Sequence, residues 1–186
     1  MKRHVISWLA LAVTVLVALP GAADAADKVK AVASFSILGD MVRQVGGDRV
    51  EVVTLVGPNG DAHVFSPTPA DAKALASADV FFVNGLGFEG WIDRLEKSAD
   101  FKGEVVIASE GVKPLTMIEE EGGAPETVTD PHAWQDLANG KIYVANIRDG
   151  LIASDPDGKS AYEANAAKYL AAIAEEESAV KATLGA

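Results

Sequence analysis

The sequence predicts an α/β fold: a parallel sheet flanked by helices, followed by one long connecting helix. Two observations carry this expectation. Between Lys28 and Ser109, short β-branched runs alternate with stretches of helical spacing, the pattern of strands joined by crossover helices. From Lys159 the chain becomes alanine-rich and reads as a single helix longer than globular domains usually contain.

The elements follow in order. Residues 1–25 read as a secretory signal, with basic Lys2 and Arg3, an apolar stretch from Val5 to Leu19, and Ala23-Asp24-Ala25 as the small-residue cleavage site. A transmembrane anchor is the alternative, but the stretch is shorter than the ~20 apolar residues a bilayer requires, and Pro20 and Gly21 close it. "KVKAVASFS" is then a buried strand leading into a helix over 37–45, stopped by Gly46 and Gly47. "VEVVTLV" is the second strand and opens into a Gly-, Pro- and Asp-rich loop over 57–69 that carries His63. Thr68, Pro69 and Asp71 suit the cap, first position and first turn of a helix.

The pattern repeats with strand "DVFFVNG", a helix over 87–98 carrying Phe88, Trp91, Ile92 and Leu95, and strand "GEVVIAS". Residues 109–129, with Glu119, Glu120, Glu121 and Glu126, lack apolar periodicity and read mostly as an exposed acidic loop. His132 follows directly. A helix is expected over 137–153, broken by "SDPDG", and another over 159–184 with Tyr162, Tyr169, Leu170 and Ile173 as its apolar stripe.

The formal charge is −11, and it becomes −12 without the signal, whose Lys2, Arg3 and Asp24 carry a net +1. Such a surface repels nucleic acid and anionic lipid and concentrates cations. The chain contains no cysteine, so thiolate ligands, disulfides and attachment through a lipidated cysteine are excluded. The expected location is a bacterial periplasm.

His63 and His132 are the only histidines beyond the signal, and each stands in the setting Asp-Xaa-His. Neutral imidazole is a common ligand of divalent transition metals, and its second nitrogen usually donates to a carboxylate or carbonyl. Asp61 and Asp130 read as orienters of their histidines or as turn formers, with direct ligation by these residues or Asp136 as the alternative.

"DAHVFSPTPAD" at 61–71 and "DPHAWQDLANGKIYVANI" at 130–147 resemble the two N-lobe signatures of periplasmic solute-binding proteins that serve zinc and manganese ABC transporters. Ala62 and Phe65 stand where that family commonly has proline and tyrosine. The "ADVFFVNGLGFEGWIDRL" segment and the final helix fit as well, so the resemblance covers nearly everything after the signal. It implies a two-lobed protein with a metal between its lobes, His63 and His132 as N-lobe ligands, and an inner-membrane ABC permease as partner. On that basis residues 26–154 are expected to form the N-terminal metal-binding lobe and 155–186 the long connecting helix, with the C-terminal lobe and its two ligands absent. The transported ligand is then zinc or manganese. Glutamates stand where zinc-specific members often carry a histidine-rich loop, which weakens a zinc-only reading because carboxylates are harder ligands.

Two other functions compete. A metal-dependent hydrolase would use the same histidines, but neither a HEXXH helix, a GXSXG elbow nor a GXXXXGKS loop is present, so no enzyme is expected. An adhesion role for the same fold is the third reading. The glycines of "NGLGFEG" hint at a phosphate-binding turn without a basic residue to support it, and Glu89 and Asp93 read as solvated helix residues.

Overall fold

A computed structural model describes residues 27–119 and 125–185; the expected signal, and Glu120 and Glu121 of the acidic run, lie outside the described residues. Its ordered elements are β1 (Val29–Phe35), α1 (Ser36–Gly46), β2 (Val50–Val56), α2 (Pro69–Ala76), β3 (Val80–Val83), α3 (Ile92–Ala99), β4 (Glu104–Ile107), β5 (Thr116–Glu119), β6 (Glu126–Thr129), α4 (Leu137–Ser154) and α5 (Lys159–Leu184). The expected α/β class holds: β1 to β4 form one parallel sheet in the order β2-β1-β3-β4.

Burial explains why the two inner strands read as unbroken apolar runs. Ala31, Val32 and Ala33 of β1 and all of Val80 to Val83 in β3 are buried, as strands covered on both faces must be. Helices α1, α4 and α5 pack against one another, and α2 packs against α3. Gly150 lets α4 approach the sheet, because a Cβ there would stand 2.5 Å from Cγ2 of Val106.

The strand order matters for function. From β1 the chain moves outward to β2 on one side, then returns to place β3 on the other. A crevice therefore opens beyond the C-terminal ends of β1 and β3, where parallel α/β sheets reverse direction and bind ligands.

Two expectations needed correction. The helix expected from residue 87 begins at Ile92, because Gly85, Leu86 and Gly87 all take positive φ (81°, 57° and 79°) and form a turn instead. The stretch 109–129 is not loop throughout: β5 and β6 pair antiparallel, Thr116 with Thr129 through Glu119 with Glu126. Both strands are almost wholly exposed, so no buried face imposes the alternation by which a strand is recognised.

Helix α5 is as long as expected and is anchored at its root. The Asp155 carboxylate receives Nε and Nη2 of Arg49 at 2.9 and 2.8 Å and the Tyr162 hydroxyl at 2.7 Å. Burial opposes its ionisation, but these hydrogen bonds prevail and hold its carboxyl below the usual range. Tyr162, Ala166 and Ile173 are the helix's buried residues, and beyond them Glu177 pairs with both Lys141 of α4 and Lys181. Among the described residues no helix is long and apolar enough to cross a membrane.

Candidate metal centre

His63 and His132, 69 residues apart in sequence, meet above the crevice with their Nε2 atoms 3.2 Å apart. His63 stands in the loop after β2, and His132 precedes α4 and the single turn Ala133–Gln135 that leads into it. His63 is exposed and His132 half-buried. They line an open cleft of about 610 Å³ together with Val64, Leu86, Met117 and Glu119.

Each histidine is held by the same device. The peptide unit in front of it is clamped at both ends, its N–H by the aspartate two residues earlier and its C=O by a side chain from the segment 84–91. For His63, the N–H donates to Asp61 Oδ1 at 2.9 Å, and Trp91 Nε1 donates to the Ala62 carbonyl at 2.7 Å. For His132, the N–H donates to Asp130 Oδ1 at 2.9 Å, and Asn84 Nδ2 donates to the Pro131 carbonyl at 2.9 Å. Fixing both ends of a peptide plane fixes the Cα–Cβ direction that leaves it.

The two rings are then oriented differently. His132 Nδ1 lies 2.8 Å from Asp130 Oδ1, so its N–H faces the carboxylate and its Nε2 lone pair faces the cleft. The hydrogen bonds from His132 hold the Asp130 carboxyl below the usual carboxylate range. Asp61 bonds only the backbone of His63. The Nε2 atoms of His132 and His63 thus face one another at the cleft.

Aromatic rings form the floor. Phe88 packs edge-on to His63 and His132 at centroid distances of 4.6 and 5.8 Å. Trp134 lies 5.4 Å from the His132 ring and 4.7 Å from Phe88, and Phe35 at the end of β1 closes the cluster. Phe65 packs on Trp91 at 5.0 Å. One side of the pair is thus dry and the other open.

Two nitrogens 3.2 Å apart can both reach a zinc ion at the usual ~2.0–2.1 Å, subtending about 100° there, close to a tetrahedral angle. They supply only part of a coordination sphere. Among the described residues no group of three or more His, Cys, Asp or Glu could hold a metal. Asp136 is accounted for otherwise: it caps α4 by accepting from the Ala138 N–H at 2.8 Å.

Glu89, read from sequence as a solvated helix residue, is buried, whereas Asp93 is exposed as expected. The Glu89 carboxylate accepts from the Ser34 hydroxyl at 2.6 Å, the Asn84 N–H at 2.7 Å and the Gly85 N–H at 3.2 Å. Burial raises its pKa, and these three donors partly counter the rise. The glycine turn does present backbone N–H groups to an acceptor, but the acceptor is the chain's own Glu89 carboxyl. The available sequence signal was a glutamate two residues past a Gly-Xaa-Gly turn at the end of a buried strand, where N–H groups without ladder partners need an acceptor.

Comparison with known proteins places these features in a family. The family described as "Zinc-uptake complex component A periplasmic" matches residues 31–186. The manganese-binding lipoprotein MntA of Halalkalibacterium halodurans is 39% identical over 95% of this chain and 58% of its own length. The manganese ABC transporter substrate-binding lipoprotein PsaA of Streptococcus pneumoniae is 36% identical over 90% and 57%. Among solved structures, the Mn-bound periplasmic metal-binding protein of Candidatus Liberibacter asiaticus superposes with a TM-score of 0.73 at 33% identity, over 84% of this chain and 57% of that one. The chain thus spans somewhat more than half the length of these three relatives.

Proposed function

The chain belongs to the family of periplasmic component A proteins of zinc-uptake complexes, and from that membership we propose that it captures a divalent transition metal, zinc or manganese, for delivery to an ABC permease in the inner membrane. On this reading His63 and His132 are metal ligands, residues 26–154 form the metal-binding lobe, 155–186 run into the connecting helix, and 1–25 direct export to the periplasm. The observation that carries it is the convergence of two Nε2 atoms from distant loops at the C-terminal ends of parallel strands.

Bare imidazole pairs bind zinc more tightly than manganese by the general order of divalent affinities. A partial ligand set also leaves positions to water. The site therefore behaves as a cradle that holds an ion from one side.

The relatives are substrate-binding components of transporters rather than enzymes, and the chemistry beside the histidines supports the same reading. A hydrolase needs a free base next to the metal-bound water. Asp130 is committed to the imidazole and backbone of His132, and Glu89 is buried and bonded to three donors.

Tryptophan fluorescence provides the test, since Trp134 and Trp91 both flank the histidines. Titration with zinc and with manganese is expected to change the emission, with zinc effective at the lower concentration. His63→Ala and His132→Ala are each expected to abolish the zinc response. An unchanged response in both variants would refute the metal-site reading.

A further inference from the structure

Resting on the metal-capture reading, we propose that Asn84 and Glu89 are positioning residues for His132: Asn84 fixes the peptide plane that precedes the histidine, and Glu89 fixes Asn84. The geometry forms one chain of contacts. Glu89 grips the Asn84 backbone through its N–H at 2.7 Å and is itself held by the Ser34 hydroxyl at the end of β1. The Asn84 side chain has all its polar atoms engaged. Its Nδ2 donates to the Pro131 and Gly85 carbonyls, each at 2.9 Å, and its Oδ1 accepts from the Tyr143 hydroxyl of α4 at 2.6 Å.

Asn84, Ser34 and Tyr143 are all fully buried. Polar groups withdrawn from water in this way are costly unless every bond is made, so the arrangement has little freedom to shift. The Pro131 carbonyl has one firm orientation. The N–H on the other side of that peptide plane is then directed at Asp130, and Asp130 in turn orients the imidazole. These hydrogen bonds reach His63 only at their far end, where the two Nε2 atoms meet at 3.2 Å; its preceding carbonyl is held separately by Trp91.

That separate anchoring gives the inference a signature that loss of stability alone does not produce. In the metal-free, 15N-labelled chain, long-range 1H–15N correlation separates the two imidazoles. Asn84→Asp replaces the Nδ2 donor by an oxygen facing two carbonyls while retaining the acceptor for Tyr143. It is expected to shift His132 Nδ1, which faces Asp130, and to leave His63 Nδ1 in place, whereas the two Nε2 atoms are in contact and report on both rings. Glu89→Gln is expected to shift His132 Nδ1 less. Cobalt(II) affinity should fall about tenfold or more in Asn84→Asp, the range by which groups behind a metal ligand act, and the d–d band should change shape.

If Asn84→Asp fails to fold, Tyr143→Phe carries the test, because it frees the Asn84 side chain without removing it; selective change at His132 Nδ1 is again expected. Movement of both Nδ1 signals together, or of neither, overturns the proposal. The two readings fail separately. Wild-type chain that binds no cobalt refutes metal capture, whereas normal cobalt binding in a folded Asn84→Asp variant with an unmoved His132 Nδ1 signal refutes only the positioning role.

Discussion

At the residue scale, the two aspartates in Asp-Xaa-His settings look equivalent in sequence and are not equivalent in space. Asp130 holds both the backbone and Nδ1 of His132, whereas Asp61 holds only the backbone of His63. Asp130→Ala is therefore expected to weaken zinc binding by roughly 10- to 100-fold, the usual effect of removing a carboxylate behind a histidine ligand. Asp61→Ala should cost distinctly less, and chelator competition on the two variants measures the difference. That each aspartate would hold its own histidine was legible because each pair is local in sequence. Asn84, Glu89 and Trp91 were not, because their roles depend on contacts 29 to 55 residues away. Glu89 in particular sits in a segment that reads as an amphipathic helix, and only the three positive φ values reveal that the helix starts after it.

At the scale of elements, what was legible is what local chemistry encodes. The start of α2 is the clearest case. Thr68 and Asp71 form a reciprocal capping box, with Pro69 at the first helical position, as their spacing predicts. Thr68→Ala is expected to cost about 1 kcal/mol, read as a lower denaturant midpoint with unchanged slope. Metal binding should persist, since α2 contributes nothing to the cleft. The β5–β6 hairpin shows the converse. Its strands bury no face, and its register places Glu119 directly opposite Glu126, a like-charge pair that opposes pairing. Neither periodicity nor charge announces such a hairpin, so the acidic run read as loop. Glu119 nonetheless reaches the cleft that holds the histidines.

At the scale of the whole molecule, the alternation of strands and helices was enough for the parallel sheet, but not for the order β2-β1-β3-β4 that creates the crevice; strand order is a tertiary choice. The same holds for α5, whose length is written in its composition and whose direction is set by contacts with α1 and α4. The bonds from Lys141 and Lys181 lower the Glu177 pKa to about 2. A carboxylate lowered in this way stabilises the fold fully above its ordinary pKa, near 4.5, and loses that contribution as pH falls toward about 2. Amide exchange of residues 174–184 should therefore accelerate as pH falls through this window, beyond the intrinsic pH dependence of exchange. In Glu177→Gln the same segment should already be fast at neutral pH and show no added step. Mechanically, the pairing shortens a lever. From Ile173, the last buried residue, to Leu184 the helix projects about 17 Å, and from Glu177 only about 10 Å, at ~1.5 Å per residue. A given angular wobble therefore moves the tip about a third less when the carboxylate is charged.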